Sequence, residues 1–320
     1  MSQIKWFLTN QIKCHTSVQR ASGFTLIELL VGIILATLVI TPLLGFMINI
    51  MDTDRKEQAK SNSEQEIKAA LDYMSRDLEQ AVYIYDADGI AAIRDKLPKS
   101  DQKTNYFPVL VFWKRQFISQ ALNVGTGTTA GFDDSFVYSL VAYYFIKDGG
   151  SSLWSKSSRI GRFQISNGYG TTSTAIDSTR DKGFKLFNLV DNYGTLKDKM
   201  NNWQNASAEG YTQQILPLVD YIDQTTTTDN TTLQPPVNCS NGGQQVPQYS
   251  GSGNSVADDN LKTGSFYVCV NSANTVVDIV LRGNSLARNF DTPPKYNDQA
   301  QSYFPKVSTR VKGRGFLFTK

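Results

Sequence analysis

The stretch SGFTLIELLVGIILATLVITP, residues 22–42, constrains this chain more than any other part of its sequence. From residue 24 to residue 51 the only charged side chain is that of Glu28. Such a run is long enough to span, as a helix, a hydrocarbon core about 30 Å thick. A charged side chain at the centre of a membrane helix costs about 2.5 to 3.5 kcal/mol. The segment therefore predicts a membrane helix whose carboxylate needs a partner.

The charge balance gives no sign of a nucleic-acid partner. The chain has 32 Lys and Arg residues against 29 Asp and Glu residues. Three of the bases, Lys5, Lys13 and Arg20, lie in the first 23 residues, where there is no acid. From residue 24 onward bases and acids are therefore equal in number, and we expect no binding to nucleic acid.

Histidine chemistry is confined to the same N-terminal stretch. His15 is the single histidine of the chain. If the first 23 residues are removed, no catalytic triad, zinc motif or Cys/His cluster can form, and only carboxylates, Lys, Tyr and Ser remain for catalysis. We expect neither an enzyme nor a cofactor. An enzyme would need a carboxylate-only mechanism such as glycoside cleavage.

Two cysteines lie beyond this stretch, Cys239 and Cys269. An even number of cysteines in an exported region favours a disulfide formed outside the cytoplasm, and with one pair the connectivity is fixed. The alternative is two buried free thiols, since free cysteine behaves as a small apolar residue.

The order of features at the N-terminus differs from that of a secretory signal peptide. A basic stretch comes first, then Ala21-Ser22-Gly23, and the apolar run follows. In a signal peptide the small residues follow the apolar core, so that cleavage removes it. Here a cut after Gly23 would remove the basic leader and keep the membrane helix. The positive charges place the N-terminal side in the cytoplasm and the rest of the chain across the membrane.

The residues GFTLIELL, 23–30, closely resemble the prepilin processing and methylation motif of type IV pilins and type II secretion pseudopilins. The resemblance implies cleavage between Gly23 and Phe24 by a prepilin peptidase and N-methylation of Phe24. It implies that Glu28 faces the cationic N-terminal amine of a neighbouring subunit. It also implies three kinds of partner: the prepilin peptidase, an inner-membrane assembly platform, and other major and minor pilins.

The electrostatics of a carboxylate in lipid agree with the pairing of Glu28 with a cationic amine. Opposite charges attract far more strongly in lipid than in water, and either charge alone is penalised there. A subunit out of register would leave both charges unpaired, so the pair selects the register. The alternative is a simple signal anchor in which Glu28 reaches the headgroups.

The fold predicted is α+β, with a long N-terminal helix packed on an antiparallel sheet with long loops, as in pilins. Beyond residue 51, apolar side chains recur every three or four residues up to Val82, which predicts an amphipathic helix with one buried stripe. Pro42 is expected to kink or locally melt the membrane half. The domains expected are a leader (1–23), a membrane or filament-core helix (24–51), an amphipathic helix (52–82) and a β-rich head (83–320).

Strands are predicted where short aromatic and β-branched runs are bounded by Gly, Asn, Asp or Ser. These runs cover residues 106–113, 136–146, 159–165, 215–222, 265–270, 275–283 and a tail around 308–318. Tracts without periodicity, near Asn123, Gln224 and Ser240, are expected to be loops.

Finer resemblances point to one class of subunit. AALDYMSRDLEQA, residues 69–81, resembles the helix end of PilW/GspJ-type minor pilins, and residues 141–165 resemble the strand pair that follows it. The loops and the closing VSTRVKGRGFLF resemble cyanobacterial pseudopilins of hormogonium polysaccharide secretion. A head of this size with long loops favours a minor, priming or tip position over a repeated shaft position. The expected location is the inner membrane and then a pilus or pseudopilus, in motility or secretion.

The head also suggests two ligands. With 15 Tyr and 4 Trp, aromatic and Thr-rich loops could contact polysaccharide, and the alternative function is a tip adhesin or polysaccharide-binding subunit. Most of these aromatics alternate within strands, however, which favours a core role. The basic tail, Arg310, Lys312 and Arg314, could meet an acidic polymer or form a solvated strand face.

Calcium is a weaker possibility. The paired acids Asp133 with Asp134, and Asp258 with Asp259, are each predicted to lie in a loop rich in Gly and Ser. Neither pair has EF-hand spacing, and isolated acid pairs occur by chance in loops. We therefore expect no metal to be needed, with these four residues as the candidates if one is bound.

Overall fold

The computed structural model describes residues 23–124, 131–150, 153–170, 172–190, 194–236, 238–315 and 317. The chain divides into two compact units, Met1–Thr53 and Asp54–Lys320. The predicted leader lies outside the described residues except for Gly23, as does the core of the loop predicted near Asn123. We call the second unit the head.

The first unit is helical throughout its described part beyond Thr25. Helix α1, Leu26–Glu79, starts here and continues through Pro42 without melting. Two threonine hydroxyls beside the proline donate to backbone carbonyls: Thr37 to Ile34 O at 2.9 Å and Thr41 to Thr37 O at 2.7 Å. Apolar side chains dominate the segment, so helix formation satisfies the backbone in apolar surroundings and leaves only the Glu28 charge to be matched.

Within the head, the second part of α1 buries one face. Its buried residues are spaced three or four apart, as an amphipathic helix requires: Ala59, Ser63, Ile67, Ala70, Leu71, Met74, Asp77 and Leu78. The helix ends at Glu79, earlier than the sequence predicts. The next residues form strand β1, Ala81–Ile84, all of which are buried. The run AVYI is β-branched and aromatic, and pairing with the adjacent strand overrides continuation of the helix.

The α+β prediction is confirmed, with two antiparallel sheets in place of one. Short helices α2 (Ala87–Ile93), α3 (Ser173–Thr179) and α4 (Leu196–Asn201) connect the strands. The first sheet has the order β1-β2-β3-β4-β5, with β2 Tyr106–Val124, β3 Gly131–Ile146, β4 Ser158–Ser166 and β5 Leu216–Ile222. The second has the order β6-β7-β8-β9, with β6 Gln244–Val246, β7 Phe266–Asn271, β8 Val276–Arg282 and β9 Lys306–Lys312.

The two sheets are joined by a buried ion pair. Arg282 Nε on β8 lies 2.9 Å from Asp223 Oδ2, just after β5, and both side chains are buried. Thr225 adds two hydrogen bonds to the other carboxylate oxygen of Asp223, from its backbone amide at 2.9 Å and its hydroxyl at 2.7 Å. Burial nevertheless raises the pKa of Asp223, because one arginine does not fully offset the loss of water.

The helix is tied to the first sheet by a second buried group, which we call the Asp77 cluster. Lys114 Nζ on β2 lies 2.7 Å from Asp77 Oδ1. Tyr143 on β3 donates its hydroxyl to Asp77 Oδ2 at 2.8 Å, and Arg162 Nε on β4 donates to the same oxygen at 2.9 Å. One helix carboxylate thus receives donors from three adjacent strands, which fixes both the rotation and the axial position of α1 on the sheet.

The surroundings of Asp77 in this cluster favour its ionised form. Burial raises the pKa of Asp77, but the hydrogen bonds and positive charges of Arg162 and Lys114 outweigh it, so the net pKa is lowered. Burial lowers the pKa of Lys114 in spite of Asp77. Burial also lowers the pKa of Arg162, but its hydrogen bond to Asp77 and the Asp77 charge raise this pKa by more. The net pKa of Arg162 is therefore raised. Arg162 is therefore the permanent countercharge.

Replacing Asp77 with alanine is predicted to destabilise the head strongly. Lys114 and Arg162 would be left buried without their anion, and breaking a buried pair in this way costs about 3 to 5 kcal/mol. Chemical unfolding of the full chain in detergent, followed by tryptophan fluorescence, measures the loss.

Glu79→Ala is the matched control, because its partner Arg314 is exposed and such pairs contribute about 0 to 1 kcal/mol. The contribution of Asp77 to the stability of the head depends on pH in one direction. Since folding lowers the Asp77 pKa, its contribution is present above the unfolded value of about 3.9 and is lost as pH falls through the folded value. Equal losses for Asp77→Ala and Glu79→Ala would contradict this role.

Candidate functional site

The N-terminus of α1 holds Glu28 in a reciprocal pair of contacts with Thr25. The Thr25 backbone amide and hydroxyl donate to Glu28 Oε2 at 3.3 and 3.2 Å. In return the Glu28 amide donates to Thr25 Oγ1 at 3.3 Å. This is a capping box, in which the residue before the helix and the third residue within it satisfy each other's free amides. The carboxylate is thereby held beside the start of the helix.

The motif T-x-x-E carries this information in the sequence, at Thr25-Leu26-Ile27-Glu28. A Ser or Thr three residues before an acid, ahead of an apolar run, is a helix-start signature. Glu28 therefore has a local role at the helix start in addition to the charge that needs a cation. The local role and the charge are separable, because glutamine can also complete a capping box.

Glu28 has no cationic partner among the described residues. Its only side-chain contacts there are those with Thr25, and both use Oε2. Gly23 and Phe24 precede the helix and are exposed, with the Phe24 side chain 84% exposed. The three residues named by the sequence motif thus lie together and accessible at one end of the helix.

The apolar helix that follows is not covered by any described part of the chain. Every residue from 24 to 51 is exposed. Within the part of the chain that the structure describes, one helix, α1, is long and apolar enough to cross a membrane. A surface of this size made of Leu, Ile and Val requires lipid or other helices around it.

The head carries the predicted cysteine pair. Cys239 and Cys269 form a disulfide with their Cα atoms 5.7 Å apart. Cys269 lies on β7, and Cys239 lies in the segment that leads to β6, so the bond ties this segment to the second sheet. Two side-chain amides support the same contact: Asn241 donates to Cys269 O and Asn271 to Asn241 O, both at 2.9 Å.

Three of the four acids considered for calcium have other partners. Asp133 and Asp134 lie on strand β3, not in a loop, and Asp134 accepts from Ser119 and Gln120 at 3.1 and 2.9 Å. Asp258 accepts the Asn260 amide, and Asp259 pairs with Lys262 at 2.7 Å. Over the described residues no group of three or more His, Cys, Asp and Glu side chains could hold a metal ion.

The basic tail is largely neutralised within the chain. Arg310 Nε lies 2.5 Å from Asp278 Oδ1 across β8 and β9. The Arg310 pKa is raised by its hydrogen bond to this carboxylate. Arg314 lies 3.0 Å from Glu79 at the end of α1. These pairs favour the solvated strand face over a site for an acidic polymer.

Comparison with known proteins gives one match. The chain matches the family model of the prokaryotic N-terminal methylation motif over residues 18–44. No curated protein and no solved structure matches the chain. The motif supports the type IV pilin and pseudopilin superfamily, whose members are structural subunits, and implies processing by a prepilin peptidase and pilin partners in general. Together with the apolar helix it supports a single-pass, membrane-anchored protein.

Loss of the disulfide is predicted to lower the stability of the head by about 3 to 4 kcal/mol, because it closes a loop whose two cysteines are 30 positions apart in the sequence. The double variant Cys239→Ser, Cys269→Ser would show this in a denaturant titration. Wild-type protein in dithiothreitol should match the variant, and the variant should not respond to dithiothreitol. An unfolding midpoint equal to that of the oxidised wild type, in both the double variant and the reduced wild type, would show that the disulfide contributes nothing to stability.

Proposed function

We propose that this chain is a minor pilin or pseudopilin that assembles into, or primes, a type IV pilus or a type II secretion-like filament. A prepilin peptidase cuts between Gly23 and Phe24, and Phe24 is N-methylated. The head then lies in the periplasm, held by residues 24–51 in the inner membrane, until the assembly platform draws the subunit into the filament. One observation carries the proposal: the methylation motif over residues 18–44 takes in the start of an apolar helix that no described residue covers.

Glu28 is the assembly residue in this proposal. Thr25 occupies Oε2, and Oε1 has no partner among the described residues. The methylated amine of a neighbouring Phe24 would pair with this oxygen. In lipid the attraction between the two charges is much stronger than in water, and an unpaired carboxylate is penalised. Correct register therefore brings a gain in free energy that a shifted register loses.

The size and the long connecting segments of the head favour a minor position in the filament over a repeated position along its shaft. The head is built of two sheets with long connecting segments, including residues 223–243 and 283–305. A subunit repeated along a shaft needs a compact head, whereas a subunit at one end makes contacts on one side only. On the finer resemblance of residues 69–81 and 141–165, we propose the PilW/GspJ type, serving polysaccharide secretion or motility. Its partners are then major and minor pilins.

Charge removal at Glu28 tests the mechanism. Glu28→Gln keeps the capping box but removes the charge, so the variant is predicted to insert and be cleaved normally and yet to enter filaments poorly. Glu28→Leu removes both the capping box and the charge, and it sets the lower limit of incorporation into filaments. The measurement is the ratio of this chain in sheared filaments to that in membranes, by quantitative immunoblot.

Thr25→Val is the matched control, since it removes the threonine hydroxyl of the capping box and leaves the charge. If charge pairing governs assembly, this variant enters filaments far better than Glu28→Gln. Normal incorporation of Glu28→Gln would contradict the proposed role, and failure of every variant to be cleaved would point to processing instead.

A further inference from the structure

Strand β9 leaves one edge of the second sheet open. It is the last strand of that sheet, and in the described part of the chain it pairs with β8 alone. An edge strand of this kind presents backbone amides and carbonyls that can pair with a further strand. At seven residues β9 is long enough for several such bonds.

Pairing is limited at the other three sheet edges. The amides of Arg314 and Gly315 donate to Glu79 O and Ala81 O at 3.0 and 3.1 Å, which covers the edge of β1. Strand β6 has only three residues. Strand β5 contains Pro217, which has no amide hydrogen to donate. Among the described residues β9 is therefore the edge best suited to accept another strand.

The register of β8 and β9 identifies the open backbone groups. On either side of β9, the Gly283 amide donates to Pro305 O and the Gly313 amide to Thr275 O, both at 2.9 Å. In an antiparallel pair, residues bonded to the partner strand alternate with residues whose backbone groups face away from it. The odd-numbered residues of β9 therefore bond to β8, and the even-numbered ones turn their amides and carbonyls outward. These are Lys306, Ser308, Arg310 and Lys312.

The side chains of β9 alternate between two faces. Those of the four residues with open backbone groups are exposed. On the other face Val311 is buried, Thr309 is half-buried, and the half-buried Val307 packs against the apolar core. A strand added beside β9 would thus place alternate side chains next to the apolar face and the others next to the bases.

Two bases on the exposed face have no countercharge. Arg310 is committed to Asp278. Lys306 and Lys312 form no ion pair with any described residue, and they lie six positions apart, or about 20 Å along a strand. Burial, and then the positive charge of Arg282, lower the pKa of Lys306. A carboxylate beside each lysine would supply the missing anion.

A second copy of this chain does not suit the edge. If two β9 strands met in antiparallel fashion, centred on Thr309, Lys306 would lie opposite Lys312. Like charges directly opposite each other destabilise strand pairing, and β9 contains no acid that could pair with these bases. Bases on an edge strand commonly prevent self-pairing in this way. They leave the edge available to a strand of opposite charge.

We propose that β9 is the docking edge for an extended segment of a different polypeptide. That segment carries acidic side chains six positions apart on one face and apolar side chains on the other. Main-chain hydrogen bonds to the open groups of β9 provide affinity, and the alternating side chains provide specificity. The site depends neither on Glu28 nor on the proposed role in a filament.

Binding of the full chain to synthetic peptides tests the edge. The protein is held in a nonionic detergent, since a charged detergent would compete with the peptides. The probe is the capped peptide Ser-Glu-Val-Thr-Val-Thr-Val-Glu-Ser, and binding is measured by isothermal titration calorimetry. One control peptide has lysine in place of both glutamates. Another has proline in place of both threonines, which removes amides that would face β9.

We expect the acidic peptide to bind saturably at concentrations up to about 1 mM, and both control peptides to bind at least tenfold more weakly. Equal binding of the proline peptide would show that the main chain takes no part. Saturable binding of no acidic peptide, or a wild-type dimer that the acidic peptide dissociates, would equally overturn the proposal. The dimer would assign the edge to a second copy.

Charge reversal separates binding from folding. The double variant Lys306→Glu, Lys312→Glu changes two exposed side chains without breaking an ion pair of the described chain, so its melting temperature should match the wild type. Its preference should reverse, with the lysine peptide bound at least fivefold more tightly than the acidic one. Lys68→Glu, Lys185→Glu is the matched control, because it changes the net charge equally at exposed lysines elsewhere and should retain the wild-type preference. An unreversed preference in the β9 variant, or a reversed one in the control, would contradict docking at this edge.

Discussion

An unmatched carboxylate in an apolar helix is the constraint from which the account of this protein follows. Glu28 is the only charge between residues 24 and 51, and its contacts within the described chain are limited to Thr25. The capping box keeps the helix start ordered but does not neutralise the charge. A subunit built in this way is incomplete by itself, since lipid or other helices must cover the apolar surface and a cation must meet the carboxylate.

The head solves a different problem, which is how to hold a long helix firmly against a sheet. Asp77 takes donors from β2, β3 and β4, and the Asp223–Arg282 pair joins the first sheet to the second. Breaking such buried pairs is costly, whereas forming them adds little net stability. Their value is positional: the Asp77 cluster fixes where the second part of α1 lies on the first sheet, and the Asp223–Arg282 pair fixes the second sheet against the first.

The sequence predicted the elements that depend on local pattern and missed those that depend on distant partners. The α+β class and most strands follow from periodicity and from aromatic and β-branched runs. Asp77 was missed because Lys114 and Arg162 lie 37 and 85 positions away, on strands whose register no local pattern reveals. The predicted helix runs on to Val82 because Ala81 and Val82 continue the three- and four-residue spacing of the apolar stripe, whereas in the fold both residues belong to strand β1. The Thr25–Glu28 spacing, by contrast, is readable from the sequence alone as a helix start.

The central claim is that trimming the leader creates the cation that Glu28 needs. Mass analysis of the native protein isolated from its own membranes measures this directly. The account predicts an N-terminal peptide that begins at Phe24 and carries one added methyl group on its amine. A mature protein that still begins at Met1, or one cut beyond Glu28, would contradict it.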